Sequence, residues 1–147
     1  MTWYVGAIAK ASSHNWNMCK EINLFGISTG GRKVGAGNIK QDDRLLVWLG
    51  ASGYIATATI TGIPRNPISR EEAPWGGGLH RFGLVFPIRV DFEPEAPVWF
   101  GFSQGKQEKT GLAQFSIRKG FSSIPDSVGD VAEKLIKSNA KGLPKQK

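Results

Sequence analysis

The pattern of apolar and polar positions divides the chain into short β segments with a helix near each end. Trp3-Tyr-Val-Gly-Ala-Ile8 is continuously apolar and predicts a strand buried on both faces. Ser12-Ser-His-Asn15 then offers polar caps to a short helix around 16–22, in which Trp16, Cys19 and Lys20 share a face. Residues 28–37 hold too many glycines for a regular element and predict a loop. Arg44–Leu49 and Tyr54–Ile60 predict two strands of a hairpin, joined by a turn at Gly50-Ala-Ser-Gly53. The Pro- and Gly-rich stretch 62–78 predicts a long excursion, after which Phe82–Val90 returns as a strand despite Pro87. Val98–Phe102 and Gln114–Ile117 predict further short strands. Ser127–Ser138 follows Ile124-Pro-Asp126 and predicts an amphipathic helix with Val128, Val131, Leu135 and Ile136 on one side. The sum is an α+β domain, a small curved sheet or partly closed barrel flanked by short helices.

Composition narrows the function classes. At 147 residues and 40% hydrophobic content the chain predicts one folded domain with a real core. No apolar run approaches the roughly 18 residues of a membrane span, and the N-terminus lacks a signal-peptide layout. The expectation is a soluble, cytoplasmic protein with no membrane partner. The single Cys19 excludes an internal disulfide framework and a cysteine-based zinc site. The net charge of +7 favours an anionic partner, nucleic acid first. That charge is uneven, because Lys134, Lys137, Lys141, Lys145 and Lys147 fall in a final stretch without an acid. Residues 1–138 are therefore read as the domain, and 139–147 as a basic linker or tail.

Catalytic chemistry is not legible. His14 and His80 have no third ligand at metal spacing, so neither a metal site nor a cofactor is expected. Asp42-Asp43 precedes a hydrophobic strand and suits a tight turn, where Asp carboxylates accept from local backbone amides. No serine sits in a nucleophile elbow, and the clusters Gly30-Gly31 and Gly76-Gly77-Gly78 match no nucleotide fingerprint. No catalytic residue is assigned, and the chain is not expected to be an enzyme. The aromatics are more informative. Five tryptophans is a high number for this length, and Trp75, between Pro74 and three glycines, has little local core to join. It reads as the wall of a pocket for a planar ligand. Arg32, Lys33, Arg118 and Lys119 lie beside glycine-rich turns or strand ends and suit phosphate contact or ordinary solvated surface.

The order Asn15-Trp16-x-x-Cys19, Leu24-Phe25-Gly26-Ile27, Ile39–Trp48, Gly53–Ala58, Ala73-Pro-Trp75-Gly-Gly and Gln114–Ile117 resembles an EVE domain of the PUA-like superfamily. More distantly it is similar to the YTH readers of methylated adenine in RNA. The likeness spans 3–137 and lies in order and spacing, since no single motif is diagnostic. It implies a PUA-like small curved β-barrel whose pocket accepts one flipped-out modified base. In bacteria, EVE-like domains often serve as reader modules of modification-dependent restriction systems, recognising modified cytosine in DNA. If the chain is a domain of a longer protein, an effector nuclease or NTPase would follow residue 147, to which the linker-like composition of Lys141–Lys147 points. Trp16 or Phe25 would supply one wall and Trp75 the other. Phe25 stands where the YTH pattern has a cage tryptophan, which is a departure. Ile27 and Ser28 would offer amides or a hydroxyl to the base edge, Asn15 and His14 would be polar readers, and Trp48 and Ser52 pocket floor. Arg32, Lys33, Arg81, Arg118 and Lys119 would contact phosphates.

The physics suits such a reader. Extruding a base costs a few kcal/mol of unstacking, and aromatic stacking returns roughly 1–3 kcal/mol. A methyl group tested by shape alone is worth about 1–3 kcal/mol, so polar groups must choose the base. The expectation is a non-catalytic reader of 5-methylcytosine or 5-hydroxymethylcytosine in DNA. The alternatives are a reader of N6-methyladenine or structured RNA, an enzyme acting on nucleic acid or a small ligand, and a structural domain with a vestigial pocket.

Overall fold

The computed structural model describes residues 1–28, 39–75, 82–99 and 121–141. The apolar run at the N-terminus is strand β1 (Trp3–Ile8), buried on both faces because it has hydrogen-bonded neighbours on both edges and side-chain clusters above and below. Helix α1 (Asn15–Ile22) leads into strand β2 (Leu24–Ser28). Strands β3 (Arg44–Leu49) and β4 (Gly53–Ile60) form the expected hairpin. Strand β5 (Phe82–Phe92), strand β6 (Phe121–Ile124) and helix α2 (Asp126–Ser138) complete the chain.

The strands lie in the order β2-β5-β4-β3-β1-β6 in one mixed sheet, curled into a half-barrel. The β1–β3 pair is parallel and the others are antiparallel. The curved α+β fold expected from the sequence is present. Pro87 is tolerated because β5 changes partner there: its first half pairs with β2 as far as Pro87, and from Ile88 onward it pairs with β4. A proline, which lacks a donor, is least costly at such a handover. In the β3–β4 hairpin a bulge opposes Val47 with Ala56 but Trp48 with Tyr54, leaving Ile55 as the extra residue. It turns Tyr54 to the same face as Trp48, where the two rings meet edge to face at 4.9 Å.

Two clusters of buried side chains make up the core. One holds Tyr4, Trp16, Cys19, Phe25, Ile27, Leu45, Val47, Trp75, Phe86 and Phe121. The other, beneath α2, holds Trp3, Val5, Leu46, Trp48, Tyr54 and Val98 with Ala132 and Ile136 of the helix. Each fully buried aliphatic side chain there is worth roughly 1.5–3 kcal/mol.

Several expectations are corrected. Strands β2 and β6 were not apparent in the sequence, since each is short and borders a glycine-rich or polar stretch. Ser12 and Ser13 do not cap α1: residues Lys10–Ser12 form a 3-10 turn, and His14 stands at the cap position without a side-chain bond. Of the expected stripe of α2, Ile136 is buried and Val128 and Leu135 pack against the same cluster, whereas Val131 is 39% exposed and Gly129 and Ala132 take buried positions. The helix rotates so that its glycine meets the flat Trp3 ring, which a β-branched residue would hold away. The excursion after β4 is tied down: Arg65 and Val85 exchange both backbone hydrogen bonds, and a 3-10 turn spans Arg70–Glu72. Val98 makes an isolated bridge to Tyr54. Most of the predicted 28–37 loop and of Val98–Phe102, all of Gln114–Ile117, and the tail from 142 lie outside the described residues. The Asp42-Asp43 turn is as expected, with buried Asp43 accepting from the amides of Thr2 (2.8 Å) and Lys40 (2.9 Å).

Candidate nucleic-acid interface

Helix α1 begins one short turn after β1 and delivers Trp16 and Cys19, three positions apart on one face, to the side of β2. Consecutive strand residues point to opposite sides, which sorts the aromatic candidates. Phe25 of β2 faces the sheet interior, where its ring sits so close to Gly6 that a Cβ there would lie 2.7 Å from Cζ. Its other neighbours are Phe86 at 5.6 Å and Phe121 at 6.5 Å. Gly26 presents its open side in the other direction, and the six-membered ring of Trp75 lies on it, in space that any Cβ would occupy. Cys19 touches both the Trp75 side chain and the Gly26 backbone, and burial pushes its thiol up to about 12, with those two contacts partly opposing the rise.

The sequence left open whether Trp16 or Phe25 pairs with Trp75. The geometry sets Cys19, on the same helix face as Trp16, against Trp75, and puts Phe25 across the β2 backbone from Trp75. All three rings are closed from solvent, at 5%, 4% and 1% exposure for Trp16, Phe25 and Trp75. Trp75 does find a core to join, contrary to its glycine-rich surroundings, because Gly26 makes room for it.

Polar groups gather at the rim. Trp16 donates its indole N–H to Glu93 Oε2 at 3.2 Å, and the Lys20 ammonium binds the same oxygen at 3.1 Å. That ammonium also stands 5.9 Å from the Trp16 ring centroid. Asn15, one residue before Trp16, holds a buried Oδ1 with no hydrogen-bond partner among the described residues. His14 is exposed, and its carbonyl accepts from Asn17 and Met18. Ile27 is buried beside Phe25 in the same cluster, and Ser28 pairs through β2 with Phe82.

Trp48 and Ser52 are placed elsewhere. Trp48 belongs to the cluster under α2, against Tyr54 and Trp99, and Ser52 sits half-buried in the β3–β4 turn, donating its amide to Leu49. The phosphate candidates Arg32, Lys33, Arg81, Arg118 and Lys119 lie outside the described residues. Of the C-terminal lysines, Lys137 pairs with Glu133 one turn before it at 3.8 Å. Among the described residues no three His, Cys, Asp or Glu side chains are placed to hold a metal, and no helix is long and apolar enough to cross a membrane. Sequence reasoning missed Glu93, which is 77 positions from Trp16, and the Gly26 seat. A glycine inside Leu24-Phe-Gly-Ile27 is the one local signal that pointed to a close approach there.

No family model matches the chain, and no curated protein does. Solved structures do. A hypothetical protein from Leishmania major superposes with a TM-score of 0.64 at 10% identity, over 94% of this chain and 96% of that one. A Pseudomonas syringae protein gives 0.56 at 10% identity, over 90% and 98%. The YTH domain of the Zygosaccharomyces rouxii MRB1 protein, solved in complex with N6-methyladenosine RNA, gives 0.52 at 12% identity, over 90% and 86%. The chain has a YTH-like fold. In this YTH-like frame Trp16 and Cys19 are borne by α1 and Trp75 by the segment after β4, and the Trp48 group lies in the separate cluster under α2.

Proposed function

We propose that the chain is a non-catalytic reader of a modified base in nucleic acid, holding the extruded base on the Trp16 and Trp75 side of β2. The observation that carries this reading is the buried Oδ1 of Asn15, next to Trp16 in sequence, which has no partner among the described residues. A buried acceptor without a donor costs about 1–3 kcal/mol, a cost that a ligand donor would relieve. Cytosine and adenine both offer an exocyclic amine as that donor. The YTH-like fold supports the same class. The closed state of the rings implies that entry of a base requires them to part.

Modified cytosine in DNA, as 5-methylcytosine or 5-hydroxymethylcytosine, is the first reading, on the resemblance to EVE domains. In this reading the chain is the recognition module of a modification-dependent restriction system, and a nuclease or NTPase acts on what it finds. N6-methyladenine in RNA is the second reading, favoured by the ligand of the Zygosaccharomyces rouxii domain.

The test is an anisotropy titration with matched DNA and RNA oligonucleotides carrying cytosine, its two modified forms, adenine or N6-methyladenine. A preference of about tenfold or more for one modified base is expected, equivalent to about 1.4 kcal/mol. Trp75→Ala and Asn15→Ala should each abolish the preference while leaving salt-dependent background binding. Equal affinity for every oligonucleotide sinks the reading.

A further inference from the structure

We propose that Glu93 is the positioning residue of Trp16: its carboxylate orients the indole as a wall for the incoming base and so sets the preference for a modified base. This rests on the reader function proposed above and adds to it a residue that no motif reveals.

The argument starts from what holds each ring. Phe25 is confined by backbone, since Gly6 lies against its tip. Trp75 is confined in the same way by Gly26 and by Cys19. Trp16 has a directional polar tether, from its Nε1 to Glu93 Oε2 at 3.2 Å. Glu93 follows β5 directly, so the bond ties α1 to the end of a strand far away in sequence. Lys20, one turn after Trp16, occupies the same oxygen at 3.1 Å and holds the carboxylate in place. The side chains of Lys20 and Glu93 are 35% and 38% exposed, so this ion pair adds little to stability. Its use lies in geometry. An indole N–H bonded to a fixed acceptor cannot rotate about its side-chain torsions, and stacking rewards only a correctly oriented face. A neutral carbonyl suffices as acceptor for the indole N–H, and the Lys20 ammonium can donate to it as well.

The experiment compares the full chain with its Glu93→Ala and Glu93→Gln variants. One arm reads the indole N–H resonances by NMR, with Trp16 assigned through Trp16→Phe. The other reads affinity for 5-methylcytosine DNA and N6-methyladenine RNA against their unmodified counterparts. In Glu93→Ala the Trp16 indole proton should shift and exchange with solvent at least about tenfold faster, while that of Trp3, bonded to Asp130, stays. The preference for the modified base should fall about tenfold, with background binding retained. Glu93→Gln keeps a carbonyl acceptor and should restore both readouts. An unmoved Trp16 resonance in Glu93→Ala overturns the proposal. A wild-type preference that survives Glu93→Ala overturns the role of Glu93 alone, and equal losses in Glu93→Ala and Glu93→Gln overturn the hydrogen bond as its cause. No preference in the wild type overturns the reader function itself, and the role of Glu93 with it.

Discussion

Two fully buried tryptophans each rest on a glycine, and the two seats are built differently. Trp3 lies on Gly129 of α2 and donates its indole N–H to Asp130 at 2.9 Å. The Arg44 guanidinium stands 4.5 Å from the Trp3 ring centroid, paired with Glu133 and, at 3.3 Å, with Asp91. A helix, a cation and a carboxylate thus fix that ring from several directions. Trp75 lies on Gly26, in a segment without regular structure, against the thiol of Cys19. In the same cluster Trp16 is tethered to a partly exposed carboxylate, and Asn15, preceding it, keeps a buried Oδ1 without a partner among the described residues. The difference separates a seat that serves the fold from one that leaves polar capacity for a ligand. Large aromatics in both are core by burial, and only their polar surroundings tell them apart.

The sharpest way to break this comparison is to fill both seats. Gly129→Ala should cost about 2–3 kcal/mol by overpacking against Trp3, even after the roughly 1 kcal/mol of helix propensity it gains. It should leave base preference unchanged. Gly26→Ala should cost less stability, about 1 kcal/mol, because Trp75 is carried by an irregular segment rather than by a helix or strand, yet it should remove the preference. Urea unfolding and the anisotropy titration together check the pair. Preference that outlives Gly26→Ala would take the Trp75 seat out of recognition.

Cys19 reports whether the α1 side is closed. With its thiol pushed up to about 12 by burial, it stays protonated at pH 8 in the native chain. Alkylation by iodoacetamide should therefore be at least about tenfold slower than in guanidinium, and Trp75→Ala should restore much of the rate. The sign for stability follows from the raised value. The unfolded thiol loses its proton first, so the contribution is complete below the ordinary thiol pKa of about 8.5 and is lost as pH rises toward about 12. Equal alkylation rates in native and denatured chains would mean that this side is open.

The smallest expected effect lies on the helix-covered face. Thr57, opposite Leu46, buries an Oγ1 with no partner among the described residues. Thr57→Val should stabilise the chain by about 1 kcal/mol in urea unfolding, without altering base preference. A loss of stability would show that the hydroxyl is satisfied in solution.

Much of the scaffold was readable along the chain. The apolar run Trp3–Ile8, the hairpin around Gly50–Gly53 and the amphipathic helix after Pro125 each carry their own periodicity or turn chemistry, so local patterning sufficed. Strand β2 escaped because five residues ending at a glycine-rich stretch give no period to count. At the candidate site Trp16 and Trp75 were legible as aromatics out of place, yet which ring faces which was not. That depended on Gly26 having no side chain, on the alternation of β2, and on Glu93 arriving from the end of β5.

The sequence by itself determined the α+β class, the order of most elements and the residue types available for stacking, because these follow from short-range periodicity and composition. Only the tertiary structure decided that Trp48 belongs under α2, that Phe25 and Trp75 lie on opposite sides of one strand, and that Asn15 buries an acceptor without a partner among the described residues. The reason is physical: a side chain's direction is local, but the partner it meets is set by which strands pair and in which register.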